Sequence, residues 1–549
     1  MLILPIMARI LLSKVKKLIA VLLVACMVFI VVAACAPAAG PVTTDPTAPP
    51  ATGPTMPPPP PPEARFAEHI DIIIDNTTIP VVNAFIPAGN SGPTHWVYMM
   101  THDRLVENLG DGEYGPMLAI DWRTTDWQTF VFYLRDDVYF HNGDHFTADC
   151  VVFNITMSRR YPGTLGFDRW RTVETVTALD TYVVEIVLEQ MHVDFLFDIS
   201  TAPAGIVNER AYNEDSENPE WAWIGTGPFL ITDFATNDYV TLQRFDNFWG
   251  EAPPTQSVTL RHIPEPAARL VMMQNRESDV SFGTTPEDLE ILQADPDFQV
   301  IPALFNAPNV LGFNMKDPLM SDRNFRMVVM HALNLEEIAI VAAGEWAIAP
   351  VDGNLWGYAT EFRHPGIPRI PFDLELAKQY LDASPYNGEE IEITAAVATN
   401  IRAAEIIQHQ LGQIGLNTTI NATDVPGLVT HLAYGEDSTA QIHLFASGFT
   451  MGAIGSATNV FFPGTGSNRL NFNDPYVTDI IQRARVTGDV EERRALFMHL
   501  QEYIAADPPQ INMFWRVNGI AAINGIGGMH IGYDTLSYNF RNIFKIIDY

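Results

Sequence analysis

The chain has 549 residues, and its 65 acidic against 32 basic side chains give a formal net charge of -33 at pH 7. So acidic a protein is repelled by the phosphates of nucleic acids and by anionic membrane surfaces, and we expect neither as a direct partner. The length exceeds what one hydrophobic core supports, so it predicts two or three domains.

The N-terminus has the parts of a secretory signal. Arg9 and three lysines precede an apolar run over residues 18–34, and Val-Ala-Ala stands directly before Cys35. This pattern resembles a bacterial lipoprotein signal, which implies that residues 1–34 are removed and Cys35 is lipidated. A retained membrane anchor and a signal cut without lipidation are alternatives. All three place the rest of the chain outside the cytoplasmic membrane, and lipidation tethers it to the outer face of that membrane.

Residues 35–63 are rich in Pro, Ala and Thr and end near six consecutive prolines at 57–62. This composition cannot form a packed core, and its proline run favours an extended conformation. The segment is therefore predicted to be a disordered tether.

Beyond Cys35, the only cysteine is Cys150, so no disulfide is available within the body of the chain. An exported protein without disulfides needs a large hydrophobic core. The sequence contains no second segment apolar enough to span a membrane.

The N-terminal half of the body alternates between strand and helix patterns. Aromatic and β-branched residues predict strands over 130–134 and 182–188. Between them, Thr147 predicts the N-cap of a helix that runs to about Met157. The mixture indicates an α/β protein.

The C-terminal half shows the same alternation. Apolar positions over 401–414 share one helix face that ends at Gly415, and 416–422 alternates as a half-buried strand would. Asp489 and Glu492 form a capping-box pattern for a helix that ends before Pro508.

Residues 130–149, FVFYLRDDVYFHNGDHFTAD, resemble the signature of the family 5 extracellular solute-binding proteins, the peptide-binding class of ABC importers. The chain departs from that signature at Cys150, where an acidic residue is common. Further segments resemble the family in the same order, namely GTGPF at 225–229, LGFN at 311–314 and NDPY at 473–476. The common order and spacing make the resemblance specific.

The resemblance implies an α/β fold of the periplasmic-binding-protein type II, a clamp of two lobes with an additional inserted domain. The first lobe would comprise residues 64–99, 222–305 and 512–549. The inserted domain would comprise 100–221, and the opposing lobe 306–511. The chain would cross between the lobes near 305–309 and 508–512, which are the candidate hinges.

The resemblance further implies a monomer that captures a peptide-like or other small solute and delivers it to an ABC permease. It implies no enzymatic activity, no cofactor and no metal. His141 and His145 have a zinc-like spacing, but they flank Asn-Gly-Asp in a turn, which removes the helical geometry. Two alternatives from other classes are a lipoprotein that acts as a ligand sensor and an extracellular hydrolase.

The segment 445–452 corresponds to the family's anchor segment, in which an aspartate holds the α-ammonium of a peptide. Here Phe449 replaces a tryptophan, and Thr450 and Met451 stand where the aspartate is expected. No acidic residue lies between His443 and Phe461. We therefore expect weak binding of free peptide N-termini, and better binding of uncharged, N-blocked or sugar-like solutes.

Three tryptophans are further candidates for the ligand cleft. Trp356 lies in LWGY, which resembles an MWGYN segment of dipeptide-binding proteins, and Trp346 and Trp96 complete the set. The alternative for each is a place in the hydrophobic core.

Overall fold

The computed structural model describes residues 65–75, 92–110, 112–161, 164–355, 362–424, 427–428, 431–432, 439–446, 453–463, 468–531 and 538–547. The signal, Cys35, the tether, Trp356 and residues 449–451 lie outside the described residues, so the expectations about them stay predictions.

The strands of the described part, numbered in chain order, are β1 His69–Ile74, β2 Val106–Gly110, β3 Glu113–Pro116, β4 Ala119–Arg123, β5 Thr129–Leu134, β6 Val173–Asp180, β7 Val183–Leu188, β8 Phe229–Ala235, β9 Tyr239–Arg244, β10 Ser257–His262, β11 Val280–Ser281, β12 Phe298–Phe313, β13 Ala347–Ile348, β14 Ile391–Ala396, β15 Thr418–Thr423, β16 Ile442–Ala446, β17 Gln510–Ile523, β18 Ile526–Gly527, β19 His530–Ile531, β20 Tyr538–Asn539 and β21 Phe544–Lys545.

The helices are α1 Gly92–Thr101, α2 Ala148–Ser158, α3 Leu165–Trp170, α4 Phe195–Ser200, α5 Glu209–Glu214, α6 Pro266–Gln274, α7 Pro286–Ala294, α8 Arg323–Ala332, α9 Leu335–Ala343, α10 Leu374–Ala383, α11 Ala398–Gly412, α12 Ala453–Phe461, α13 Pro475–Arg485 and α14 Val490–Ala506, with short 3₁₀ helices at Ala202–Ala204, Pro219–Trp223 and Gly344–Trp346.

Among the described residues no single helix is long and apolar enough to cross a bilayer; α8 and the segment from α9 to Trp346 reach that length and composition only together, across a 63° bend.

The largest sheet contains 11 of these strands. Its order is β15-β14-β16-β12-β17-β11-β1-β10-β9-β8, and β13 pairs with β17 away from this path. β14 runs parallel to both β15 and β16, with α11 as the crossover helix to β15, whereas β12 is antiparallel to β16 and β17. β4, β5, β7 and β6 form a separate antiparallel sheet.

Four large apolar cores divide the described residues. The first lies around β1, α1, β8 to β10 and the end of β17. The second and third lie on opposite faces of the sheet formed by β12, β14 and β16. The fourth belongs to the four-stranded sheet with α2 and α4. The second and third cores share one sheet, so they belong to the same part of the chain.

The long strands β12 and β17 connect the first core to the second. In β12, Phe298 packs in the first core and Leu311 in the second, with breaks in the ladder register between 304 and 310. In β17, Phe514 packs in the second core and Ile520 in the first. Along β17 the packing changes from the second core to the first between 514 and 520, and the expected crossing near 508–512 stays a prediction.

Most elements predicted from the sequence are confirmed. β5 and β7 match the predicted strands, and α2 follows Thr147, although the Thr147 side chain makes no capping hydrogen bond. Asp489 accepts hydrogen bonds from the backbone N–H groups of Glu491 and Glu492, which fixes the start of α14. Gly415, with φ of 86°, follows the last turn after α11.

The half-buried strand predicted over 416–422 is confirmed as β15, which begins at Thr418. Its burial does not alternate, because almost all of its residues are half-buried on both faces. The reason is its place at the edge of the sheet, where it pairs only with β14.

Candidate ligand-binding site

The expected anchor segment follows directly after β16, so this strand positions the site. Its neighbours are β12, with Gly312 opposite His443 and Val310 opposite Phe445, and the parallel β14. Since side chains alternate along a strand, His443 and Phe445 point to the same face of the sheet. That face is the one covered by the third core.

Three flat groups are stacked on this face. The rings of His443 and Phe445 are nearly parallel, with centroids 5.2 Å apart, and the guanidinium carbon of Arg469 lies 5.5 Å from the Phe445 ring. A Cβ at Gly312 would lie 2.6 Å from Nε2 of His443, so glycine is needed at that position to seat the imidazole.

His443 is fully buried, and neither ring nitrogen has a hydrogen-bond partner among the described residues. Burial, and to a smaller extent the positive charge of Arg469, lower the pKa of its imidazole to about 3. The ring is therefore neutral at physiological pH. Burial also lowers the pKa of the half-buried Arg469 guanidinium.

Sequence reasoning missed both Arg469 and His443. One signal was available for the arginine, because no other Lys or Arg occurs between Arg402 and Arg483. No pattern in the sequence indicates that Arg469 lies against Phe445, because the anchor segment and the helix α12 separate the two residues along the chain.

The structure describes two of the tryptophan candidates and places both against the first core. Trp346 is half-buried at the end of its 3₁₀ helix. Trp96 is only 7% exposed, with its ring centroid 4.9 Å from that of Phe282 and 6.0 Å from that of Phe540. So buried a ring offers little surface to a solute, and a ligand role for Trp96 stays a prediction.

The two histidines with zinc-like spacing have separate partners. His141 Nε2 lies 3.0 Å from the carbonyl oxygen of Gly227, while His145 contacts the carbonyl of Asp136 and the hydroxyl of Tyr182. Burial lowers the pKa of His141 to about 4. Within the described ranges, no three His, Cys, Asp or Glu side chains cluster as metal ligands would.

The remaining thiol has no features of a nucleophile. Cys150 is buried in the fourth core, and burial raises the pKa of its thiol. Its Sγ lies 3.8 Å from the hydroxyl of Thr147, which is its nearest polar neighbour.

Comparison with known proteins identifies relatives with binding functions. The chain is 21% identical over 430 residues to the glutathione-binding protein GsiB of Pectobacterium atrosepticum, covering 75% of this chain and 82% of that protein. It is 24% identical over 452 residues to the dipeptide-binding protein of Escherichia coli, again covering 75% of this chain and 82% of the relative.

The fold matches that of a solved periplasmic binding protein. The ABC transporter-associated protein DppA of Helicobacter pylori, in complex with the peptide STSA, superposes with a TM-score of 0.72 at 21% identity, over 88% of this chain and 99% of that one. The predicted fold class, an α/β clamp of the periplasmic-binding-protein type II, is confirmed. The family model of bacterial extracellular solute-binding proteins, family 5, matches residues 113–471, which is more than half of the sequence. The chain belongs to this family.

Proposed function

We propose that this chain is a lipid-anchored solute-binding protein that captures a small solute outside the cytoplasmic membrane and delivers it to an ABC permease. Family membership and the fold support the capture of a solute. The N-terminal signal pattern with Cys35 supports the lipid anchor. The protein acts by binding and release, as a monomer, and makes or breaks no bond in the solute.

The connection between the cores is the observation that carries the proposal. β12 and β17 pass through both the first and the second core, so two adjacent strands link the two lobes of the clamp. The ladder between them shifts register between Leu304 and Pro308 and again between Asn309 and Val310. Irregular ladder positions lose regular hydrogen bonds and bend more readily, which suits a hinge.

The domain division that we propose follows the cores. The first lobe comprises 64–99, 222–305 and 512–549 around the first core, the inserted domain comprises 100–221 around the fourth, and the opposing lobe comprises 306–511 around the second and third. The boundary between residues 511 and 512 does not follow the cores closely, because Phe514 of the first lobe packs in the second core.

Small-angle scattering tests the clamp. A solute that bridges both lobes stabilises the closed form by mass action, so it should lower the radius of gyration and raise the melting temperature together. The ligand is whatever solute co-purifies with the protein, identified by mass spectrometry and added back to the dialysed protein. A radius of gyration that stays constant at saturation contradicts closure.

A further inference from the structure

Arg469 is a half-buried cation that has no counter-ion among the described residues. Its guanidinium lies over the Phe445 ring, and it makes no hydrogen bond or ion pair with any residue in the described part of the chain. Arg469 acts electrostatically on His443, but that imidazole is neutral and fully buried. Among the described residues, nothing on this face of the sheet therefore compensates the positive charge.

Two more deeply buried guanidinium groups in this protein have oxygen partners. Arg326 donates to two backbone carbonyls and to the carboxylate of Asp507, and Arg541 donates to Asp103. Burying a charge without such a partner is unfavourable for folding. Arg469 therefore lowers the stability of the empty protein, and an anion supplied from outside would remove that penalty.

The stacking on Phe445 holds the guanidinium ready for such an anion. An arginine that stacks on an aromatic face keeps its N–H donors at the edge of the plane, where they match the two oxygens of a carboxylate or phosphate. The location also fits, because Phe445 is the fourth residue before Phe449 of the expected anchor segment. Where relatives have an anchoring carboxylate, this chain has no acidic residue and a nearby arginine.

We propose that Arg469 binds an acidic group of the solute, a carboxylate or a phosphate, at the end of β16, so that this protein takes anionic solutes. The inference rests on the proposed solute-binding function and specifies the charge of the solute. It replaces the expectation of an uncharged solute with that of an acidic one. An ammonium group at the same place would be repelled by the guanidinium.

The stability of the empty, dialysed protein gives the first test. Arg469→Gln should leave the melting temperature unchanged or raise it, because it removes an uncompensated charge. Arg261→Gln is the matched control. Arg261 is half-buried as well, but it donates two hydrogen bonds to the carboxylate of Asp71 and one to the carbonyl oxygen of Glu277, so its loss should lower the melting temperature. An equal loss of stability in both variants would mean that Arg469 is structural, and would overturn the proposal.

Binding of matched probes gives the second test. Each pair differs only in an acidic group: N-acetyl-alanyl-alanine and its C-terminal amide, galacturonate and galactose, glucose 6-phosphate and glucose. The acidic member should bind more tightly to the wild type, by about ten- to hundred-fold, and this preference should disappear in Arg469→Gln but persist in Arg261→Gln. The first two pairs report on carboxylates and the third on phosphates.

The remaining outcomes separate this inference from the proposed function. Tight binding of neutral members, or a neutral co-purifying solute, overturns the inference and leaves solute binding intact. An acidic co-purifying solute that is lost from Arg469→Gln supports the inference even if no probe binds. If no probe binds and no solute co-purifies, both the inference and the proposed function fail.

Discussion

Arg541 donates a 2.5 Å hydrogen bond to the carboxylate of Asp103, although 438 positions separate the two residues. Asp103 is fully buried, and its other oxygen accepts from Trp249 Nε1 at 2.7 Å and from Thr226 Oγ1 at 3.0 Å. The carboxylate thus joins the chain before β2, the segments on both sides of β8 and β9, and the C-terminal region. Burying this carboxylate is favourable only when all of its hydrogen-bond partners are in place together.

Asp103→Asn should lower the free energy of unfolding by about 3–5 kcal/mol, because it leaves the Arg541 guanidinium buried without a counter-ion. Urea unfolding measures the effect. Asp297→Asn is the control, since it disrupts the exposed Arg276–Asp297 pair and should change stability by less than about 1 kcal/mol. Equal effects of the two substitutions would contradict a central role for Asp103.

The same carboxylate predicts a loss of stability in acid. Burial by itself raises the pKa of Asp103, but Arg541 and the hydrogen bond from Trp249 outweigh it, so the pKa in the folded protein lies below the ordinary 3.8. Ionised Asp103 contributes its full share of the unfolding free energy above the pKa of the unfolded chain, about 3.8, and this share is lost as the pH falls below that value. Arg541→Met should make the unfolding free energy less dependent on pH in this acidic range.

Gly227→Ala should destabilise the protein by roughly 1–3 kcal/mol or more, because the new Cβ would lie 2.5 Å from the carbonyl oxygen of Met100. Gly225 is under the same constraint, with the carbonyl oxygen of Thr101 at 2.2 Å. Gly412→Ala is the matched control. Gly412 ends α11, and no atom lies within 4 Å of the position that a new Cβ would take, so the substitution should stabilise the helix by up to about 1 kcal/mol. Thermal unfolding should show a lower melting temperature for Gly227→Ala and a higher one for Gly412→Ala.

His443 should make the protein less stable as the pH falls from 7 to 5. Burial, and then Arg469, hold the pKa of the folded imidazole at about 3, whereas the unfolded chain takes up a proton near 6.5. The unfolding free energy therefore falls by about 1.4 kcal/mol for each pH unit below 6.5, because the folded protein keeps this imidazole neutral. His443→Leu should reduce this slope, and Phe445→Leu, which alters the same stack without a titrating group, should not. An unchanged slope in His443→Leu would show that the imidazole titrates in the fold.

Cys35 should carry a lipid in the mature protein. A diacylglyceryl group supplies two chains and hence stable attachment, which a single acyl chain does not. Intact-mass analysis of membrane-derived protein should find cleavage before Cys35 and acylation of its thiol. Cys35→Ala should leave an unlipidated precursor, whereas Cys150→Ala should not affect processing, because Cys150 is buried in the fourth core. An unmodified Cys35 at an internal position in the wild type contradicts the lipoprotein prediction.

The residues of the anchor segment predict the ligand preference at the amino end of a peptide. The wild type should bind free dipeptides weakly. Phe449→Ala should weaken binding of the solute that co-purifies with the protein, because it removes a stacking surface. Met451→Asp should favour free over N-acetylated dipeptides by about 1.5–3 kcal/mol, through a charge-assisted bond to the ammonium. Met451→Asn, of similar size but neutral, is the control. Calorimetry decides, and tight binding of free dipeptides by the wild type is the result that would overturn the prediction.

Local signals were enough to predict much of the fold. The β-branched and aromatic runs of β5 and β7 and the cap at Asp489 act through neighbouring residues, so they can be recognised from short segments. The family resemblance predicted the α/β clamp for the same reason, because its motifs are short continuous segments of the chain. The strand β15 was predicted as well, but the burial of its individual residues was not, because it depends on the place of the strand at the sheet edge.

The composition of the anchor segment was also readable from sequence, including the absence of an acidic residue between His443 and Phe461. The pairing of distant residues was not. Only the tertiary structure brings Arg469 onto Phe445 without a counter-ion among the described residues, and only it closes Arg541 onto Asp103. Electrostatic energy depends on distance and burial in space, so the consequence of a charge is decided where the chain folds back on itself.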